Sequence, residues 1–253
     1  MFVHASVAGG PAGLFLVDTG AATSVLDARL AAARGVALGD PVRLHGGGGD
    51  LAARQAENVA LVLASAPTLR IDPLVADLAP ASRDMGVVLD GVLGDDVLRR
   101  FVVTLDFREG QMRLAAPNGA PPADAVPMRF LATPFVEAEA EDGGRGVSAI
   151  FQIDTGSNTA AEFWAPFARA ALSQAATTPG AEVGLAGAGA ETARGRIDAL
   201  IVAGRRIVSP AANFADRLRP DDAGAGYGGV IGAPAWSGLA LTLDFPERRV
   251  WVR

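Results

Sequence analysis

Phe15-Leu16-Val17-Asp18-Thr19-Gly20-Ala21 returns 136 positions later as Phe151-Gln152-Ile153-Asp154-Thr155-Gly156-Ser157. A chain that uses one apolar-strand-to-turn unit twice is restricted to folds assembled from two copies of one design. Each copy delivers an Asp from a short apolar run into a turn, with Thr and then Gly behind it. A carboxylate at the end of a buried run is costly to ionise unless it is hydrogen-bonded or shared. A single such Asp has an ordinary reading as a turn residue, because Asp bonds readily to its own backbone two residues on. Its recurrence in both halves needs a further account.

The repeat extends well past the motif. Gly91-Val92-Leu93-Gly94 through Thr104-Leu105-Asp106-Phe107 lies without a gap over Gly229-Val230-Ile231-Gly232 through Thr242-Leu243-Asp244-Phe245. Between them, Leu44-His45-Gly46-Gly47-Gly48-Gly49 parallels Leu185-Ala186-Gly187-Ala188-Gly189-Ala190, and Ala60–Leu63 parallels Ala199–Val202. The order Asp-Thr-Gly, Gly-rich turn, apolar strand, apolar-apolar-Gly, Leu-Asp-Phe is used twice. The expected organisation is an N-terminal lobe over 1–116, a Pro- and Gly-rich linker over 117–125 and a C-terminal lobe over 126–253.

Asp18-Thr19-Gly20 and Asp154-Thr155-Gly156, with Val92-Leu93-Gly94 and Val230-Ile231-Gly232, resemble the aspartic proteases. The resemblance is to bacterial retropepsin-like aspartyl proteases with both lobes fused in one chain, in the pepsin/retropepsin superfamily. It implies an all-β bilobal fold: two pseudo-symmetric β-barrel-like lobes, a few short helices and an interlobe cleft. It also implies that Thr19 and Thr155 cross-link the two turns, that Gly20 and Gly156 let the backbones approach, and that Ala21 and Ser157 complete the support. The flap tyrosine of pepsin-like enzymes has no counterpart, since the one tyrosine, Tyr227, stands just before the second apolar-apolar-Gly. Both Gly-rich turns are present instead, as in the paired flaps of the retroviral type. Gly46, Gly47, Gly48 and Gly49, and Gly187, Ala188 and Gly189, are therefore the candidate flap and substrate-binding residues.

Hydrolysing an unactivated amide needs a nucleophilic water and a leaving nitrogen that receives a proton. Two carboxylates close enough to share one proton do both jobs. Asp18 and Asp154 are the pair that occupies equivalent positions in the two turns, which makes them the candidate catalytic residues of an aspartic endopeptidase. The alternative is a non-catalytic peptide-binding or structural module that keeps the fold. Asp106 and Asp244 also recur, but each ends a strand before a hairpin turn and reads as structural. Asp95-Asp96 faces Ala233-Pro234 in the other copy and reads as a surface helix start.

Composition narrows the rest. Net charge is −6 with a pI near 5.0, which argues against a nucleic-acid partner held by phosphate contacts; that every one of the 22 basic residues is arginine reads as nucleotide-composition bias. Without lysine, the Gly-rich turns cannot be a phosphate-binding P-loop. Without cysteine, disulfides, thiolate catalysis and cysteine–zinc sites are excluded, and with two histidines, His4 and His45, far apart in sequence, a zinc or Ser-His-Asp enzyme has little to build on. No metal and no cofactor are expected, the partner is a peptide or protein substrate, and no apolar run has membrane-helix length. A fused pair of lobes needs no second chain, so a monomer is expected. No basic-then-apolar leader precedes Phe2. The reading is cytoplasmic if Met1 is the native start, and periplasmic or secreted if a leader has been removed.

Along the chain, strands are expected at Phe2–Val7, Leu14–Val17, Leu69–Val75 and Phe101–Phe107, with a hairpin of Val42–His45 and Ala52–Leu63. Helices are expected over Leu26–Arg34, ending at Gly35, and over Glu162–Ala176. Glu137, Glu139 and Glu141 alternate with alanines on an expected edge strand with one solvated face.

Overall fold

The computed structural model describes residues 1–46, 49–63, 66–117, 119–171, 177–184, 187–215 and 226–253. The chain divides into two compact units: Met1–Leu98 with Ala181–Ala190, and Arg99–Gly180 with Glu191–Arg253.

The first unit runs β1 (Phe2–Val7), β2 (Ala12–Val17), β3 (Val25–Asp27), α1 (Ala28–Ala33), β4 (Pro41–Gly46), β5 (Gly49–Gln55), β6 (Val59–Leu63), β7 (Leu69–Ile71), β8 (Leu74–Ala76), α2 (Ala79–Met85), β9 (Gly91–Leu93) and α3 (Asp95–Leu98). Its nine strands lie in the order β4-β5-β8-β3-β9-β2-β1-β6-β7. β2–β9 and β3–β8 are parallel pairs within an otherwise antiparallel sheet. Phe15, Val17, Val92 and Leu93 on the β2–β9 pair are fully buried, each removing apolar surface worth about 1.5–3 kcal/mol. Gly91 has to be glycine, because a methyl there would overlap the Phe15 ring. Asp27 caps α1 by accepting the Arg29 N–H (3.1 Å) and with its other oxygen accepts the Leu78 N–H (3.1 Å), joining β3 to the entry of α2.

The second unit contains β10 (Val102–Asp106), β11 (Gln111–Ala115), β12 (Val126–Phe130), β13 (Pro134–Asp142), β14 (Arg145–Asp154), β15 (Ala161–Trp164) and α4 (Ala165–Ala171). β16 (Thr178–Gly184) and β17 (Gly187–Arg196) follow, their Ala181–Gly184 and Gly187–Ala190 parts counted with the first unit, then β18 (Ala199–Val202), β19 (Arg205–Val208), β20 (Ala211–Ala215), β21 (Tyr227–Gly232), a 3-10 turn at Ala233–Trp236, β22 (Ala240–Asp244) and β23 (Arg249–Val252). The sheet order is β11-β10-β22-β23-β12-β13-β14-β21-β15-β20-β17-β16, with β18 also on β13 and β19 beyond it. The parallel pairs recur as β14–β21 and β15–β20. Phe151, Phe163 and Phe167 form the aromatic core of this unit, with ring centroids 5.5–5.9 Å apart.

β10 and β22, the two Leu-Asp-Phe strands, pair with each other antiparallel, and Thr104 stands opposite its own counterpart Thr242. Their hydroxyls are 2.9 Å apart. Asp106 accepts the Arg108 and Glu109 N–H groups and Asp244 accepts that of Glu247, so both are the turn residues expected of them.

Several expectations are corrected. Among the described residues neither sheet closes: β4 and β7 end the first path, and β11 and β16 the second. The two barrel-like lobes inferred from the resemblance are therefore replaced by open mixed sheets, rich in strands and with few, short helices. Closure needs end strands that can pair under a common tilt and stagger. β7 is three residues long, and β4 opens on Pro41, which has no N–H for a further strand. Ala52–Leu63 and Leu69–Val75 are each two strands, the second broken at Asp72-Pro73. β13 is an interior strand, bonded to β12, β14 and β18. Its glutamates still face outward, and Arg206 grips Glu141 at 2.7 and 2.5 Å, holding that carboxyl below its usual range. Glu162-Phe163-Trp164 is strand, with the Trp164 indole N–H on buried Glu162 (3.0 Å); α4 starts only at Ala165, with Pro166 in its first turn, and residues 172–176 lie outside the described residues.

Candidate functional site

Asp18 follows β2 directly, and β2 is held in parallel register to β9 with Val17 opposite Leu93. The Asp18 N–H continues that ladder by donating to the Leu93 carbonyl (3.0 Å). Its carboxylate Oδ1 then accepts the Gly20 N–H (2.8 Å), and its carbonyl accepts the Ala21 N–H (3.3 Å). The carboxylate is thereby turned back over its own loop and oriented by a backbone donor, while the side chain stays half-buried. Thr19 is fully buried behind it. The half-buried Met1 amino group lies within reach of the Asp18 charge: burial pushes its pKa down, and the carboxylate opposes that shift.

The Asp154 turn is built on the same plan. β14 runs parallel to β21, with Ile153 opposite Ile231 and Asp154 opposite Gly232. Asp154 Oδ1 accepts two N–H groups, from Gly156 (2.9 Å) and Ser157 (3.1 Å), and its carbonyl also accepts from Ser157 (3.2 Å). Thr155 is buried as deeply as Thr19. In each copy the fourth residue of the motif then carries the next element: the Ala21 carbonyl accepts the Asp95 N–H (2.8 Å), and the Ser157 carbonyl accepts the Ala233 N–H (3.0 Å). The Gly of each apolar-apolar-Gly packs onto this loop. A methyl on Gly94 would sit 2.6 Å from the Ala21 carbonyl oxygen, and one on Gly232 would overlap the Thr159 carbonyl.

Residues 3–97 match the family model for the aspartyl proteases. This stretch is an aspartyl-protease-family domain. The match takes in the whole Asp18 turn and the β9–α3 junction beneath it. The solved structure of EIAV protease complexed with the inhibitor HBY-793 is distantly similar to part of the chain. It is 22% identical, covers 39% of this chain and 85% of that one, and has a TM-score of 0.30. No curated protein sequence matches the chain.

The remaining candidates fall around this frame. In the aspartyl-protease domain, Gly46 ends β4 and Gly49 begins β5, paired across the hairpin. Gly47 and Gly48 lie outside the described residues. Gly187, Ala188 and Gly189 open β17, while residues 185 and 186 before them lie outside the description. His4 is exposed on β1. Among the described residues no group of three His, Cys, Asp or Glu side chains could hold a metal ion, and no helix is long and apolar enough to cross a membrane. Tyr227 opens β21 and packs on Phe135 with ring centroids 5.2 Å apart, a core role.

Sequence reasoning missed the tie beneath the Asp18 loop. Asp95-Asp96 does start a helix, α3, but not on the surface: Asp95 is 1% exposed, and Asp96 Oδ1 accepts both the Ser24 N–H (2.8 Å) and the Ser24 hydroxyl (2.6 Å). The Ser24 hydroxyl in turn accepts the Gly94 N–H (3.0 Å). The signal that could have found it is the departure of Asp95-Asp96 from Ala233-Pro234 at an otherwise repeated junction.

Proposed function

We propose that the chain is an aspartic-type peptidase that cleaves peptide bonds within a chain, with Asp18 and Asp154 as its catalytic carboxylates. The observation that carries this reading is the shared build of the two turns. Each aspartate leaves a strand of a parallel pair, and each has Oδ1 fixed by the N–H two residues on. The backbone N–H on each Oδ1 favours the ionised carboxylate and fixes its orientation. In the reaction one carboxylate takes a proton from water, while the other, protonated, donates to the carbonyl of the scissile bond. The leaving nitrogen then receives the transferred proton. Thr19, Gly20, Ala21, Thr155, Gly156 and Ser157 hold the two turns, and the Gly-rich hairpin at Gly46–Gly49 and the start of β17 at Gly187–Gly189 cover an extended peptide.

A peptide-library digest at acidic and neutral pH, with and without an inhibitor carrying a hydroxyl in place of the scissile carbonyl, tests this. Cleavage that follows a bell-shaped pH profile and is blocked by the inhibitor is expected, since the pair must be singly ionised. Peptide binding without cleavage at any pH would overturn it in favour of a binding module.

A further inference from the structure

The loop from Asp18 to Ser24 spans from the end of β2 to the start of β3 and is fastened to one short stretch, Leu93–Asp96, at every turn of its path. Asp18 bonds to Leu93, Ala21 to Asp95, and Ser24 to both Gly94 and Asp96. Ser24 is the only one of these ties made through a side chain on the loop, and it is 1% exposed. Its hydroxyl is engaged in both directions: it donates to Asp96 and accepts from Gly94. In the other copy the equivalent N–H, that of Gly232, is held by the Ala160 carbonyl (3.1 Å), and no side chain takes part. The Gly94 N–H is thus held by a side-chain hydroxyl that a carboxylate orients, where the Gly232 N–H is held by a backbone carbonyl.

We propose that Ser24, held by Asp96, is a positioning residue for Asp18. This rests on the peptidase reading above. Removing the hydroxyl frees the β3 end of the loop from Gly94, and that end is continuous through the same short loop with Asp18. The ties at Asp18 and Ala21 remain, so the carboxylate shifts without being lost. A small misplacement of a catalytic group lowers the rate of the chemical step and leaves substrate binding alone.

The test uses the full chain as Ser24→Ala, Ser24→Thr, Asp96→Ala and Asp96→Asn, with kcat and KM on one cleaved peptide. Active sites are counted by titration with a tight hydroxyl-bearing inhibitor, and thermal melts check folding. Ser24→Ala is expected to lower kcat per titrated site about tenfold with KM within about twofold of wild type. Ser24→Thr, which restores the hydroxyl, and Asp96→Asn, whose carbonyl oxygen still accepts both Ser24 donors, are expected to recover most of the loss. Asp96→Ala releases Ser24 but keeps its bond to Gly94, and should fall about threefold in kcat. If Ser24→Ala does not fold, the Asp96→Ala and Asp96→Asn pair decides by the same split. An active wild type whose folded Ser24→Ala or Asp96→Ala has unchanged kcat per site overturns the positioning role alone, as does a folded Ser24→Thr without recovery. A wild type that cuts no peptide overturns the peptidase reading and this role with it.

Discussion

The turns at Asp18 and Asp154 share their first bonds and differ in what lies beneath them. The Ser157 N–H reaches both Oδ1 and the carbonyl of Asp154, whereas the corresponding Ala21 N–H goes to the Asp18 carbonyl (3.3 Å). Below the loop, the first copy uses Ser24 and Asp96 and the second uses the Ala160 carbonyl. Ser157 adds only a long contact, its hydroxyl accepting the Thr159 N–H at 3.4 Å. Duplication has preserved the backbone ladder that aims each carboxylate and let the side chains supporting it diverge. The carboxylates themselves are the part the peptidase reading makes equivalent.

That equivalence can be broken most sharply at the aspartates. Asn keeps an Oδ1 acceptor for the Gly20, Gly156 and Ser157 N–H groups, so the turns should survive the change while the ability to exchange a proton is lost. Asp18→Asn, Asp154→Asn and the double variant are each expected below about one-thousandth of wild-type kcat, because groups acting as a unit are non-additive. Peptide affinity and melting temperature should change little. One variant inactive and the other near wild type would show that the two turns are not a pair.

The next effect is on stability. Gly94 and Gly232 both pack against carbonyl oxygens of the loops they support, and backbone cannot swing aside as a side chain can. Gly94→Ala is expected to cost about 2 kcal/mol and Gly232→Ala about 3 kcal/mol. The order follows from contact: the Gly232 methyl would overlap the Thr159 carbonyl and also lie 2.8 Å from Ser157 Oγ. Denaturant unfolding of the two variants checks this, and the reverse order would mean that the second loop is the more yielding one.

The serines come third. Ser24→Ala leaves the Gly94 N–H without its acceptor in a buried position, which costs about 1–3 kcal/mol. Ser157→Ala loses one 3.4 Å contact and should cost under about 0.5 kcal/mol. Equal losses in chemical denaturation would erase the distinction between side-chain and backbone support.

The legible parts of this molecule are those whose cause is local in sequence. The Asp-Thr-Gly turns follow from an apolar run meeting Asp and Gly, and Asp106 and Asp244 announce their turns by type. α1 stops at Ala33 with Arg34 as its cap just before Gly35, although Leu26 and Asp27, expected in that helix, belong to β3. What stayed hidden depends on pairing at a distance. Ser24 and Asp96 are 72 residues apart and meet only because β3 lies beside β9. The glutamate alternation on β13 shows one solvated face truthfully, but periodicity says nothing about how many neighbours a strand has, and β13 has three. Glu162-Phe163-Trp164 reads into the helix behind it because Glu162 looks exposed until its Trp164 partner is seen. The barrel-like lobes came from resemblance and not from any residue pattern, and the open strand order removed them.

The smallest effect concerns a place where the copies meet as equals. Thr104 and Thr242 face each other across β10 and β22, hydroxyl to hydroxyl at 2.9 Å, so either can donate to the other. The residues are identical, but their surroundings are not: Thr242 is 4% exposed and Thr104 is half-buried. Thr104→Val strands the Thr242 hydroxyl where water does not reach and should cost about 1 kcal/mol. Thr242→Val strands the Thr104 hydroxyl, which water can still reach, and should cost about half as much. The double variant removes both hydroxyls and should cost less than the two singles together, with a coupling of about 0.5–1 kcal/mol from the unfolding cycle. A coupling of zero would mean that the hydroxyls act independently. Equal single costs would mean that the strand pair treats its two halves alike, in contrast to the unlike support beneath Asp18 and Asp154.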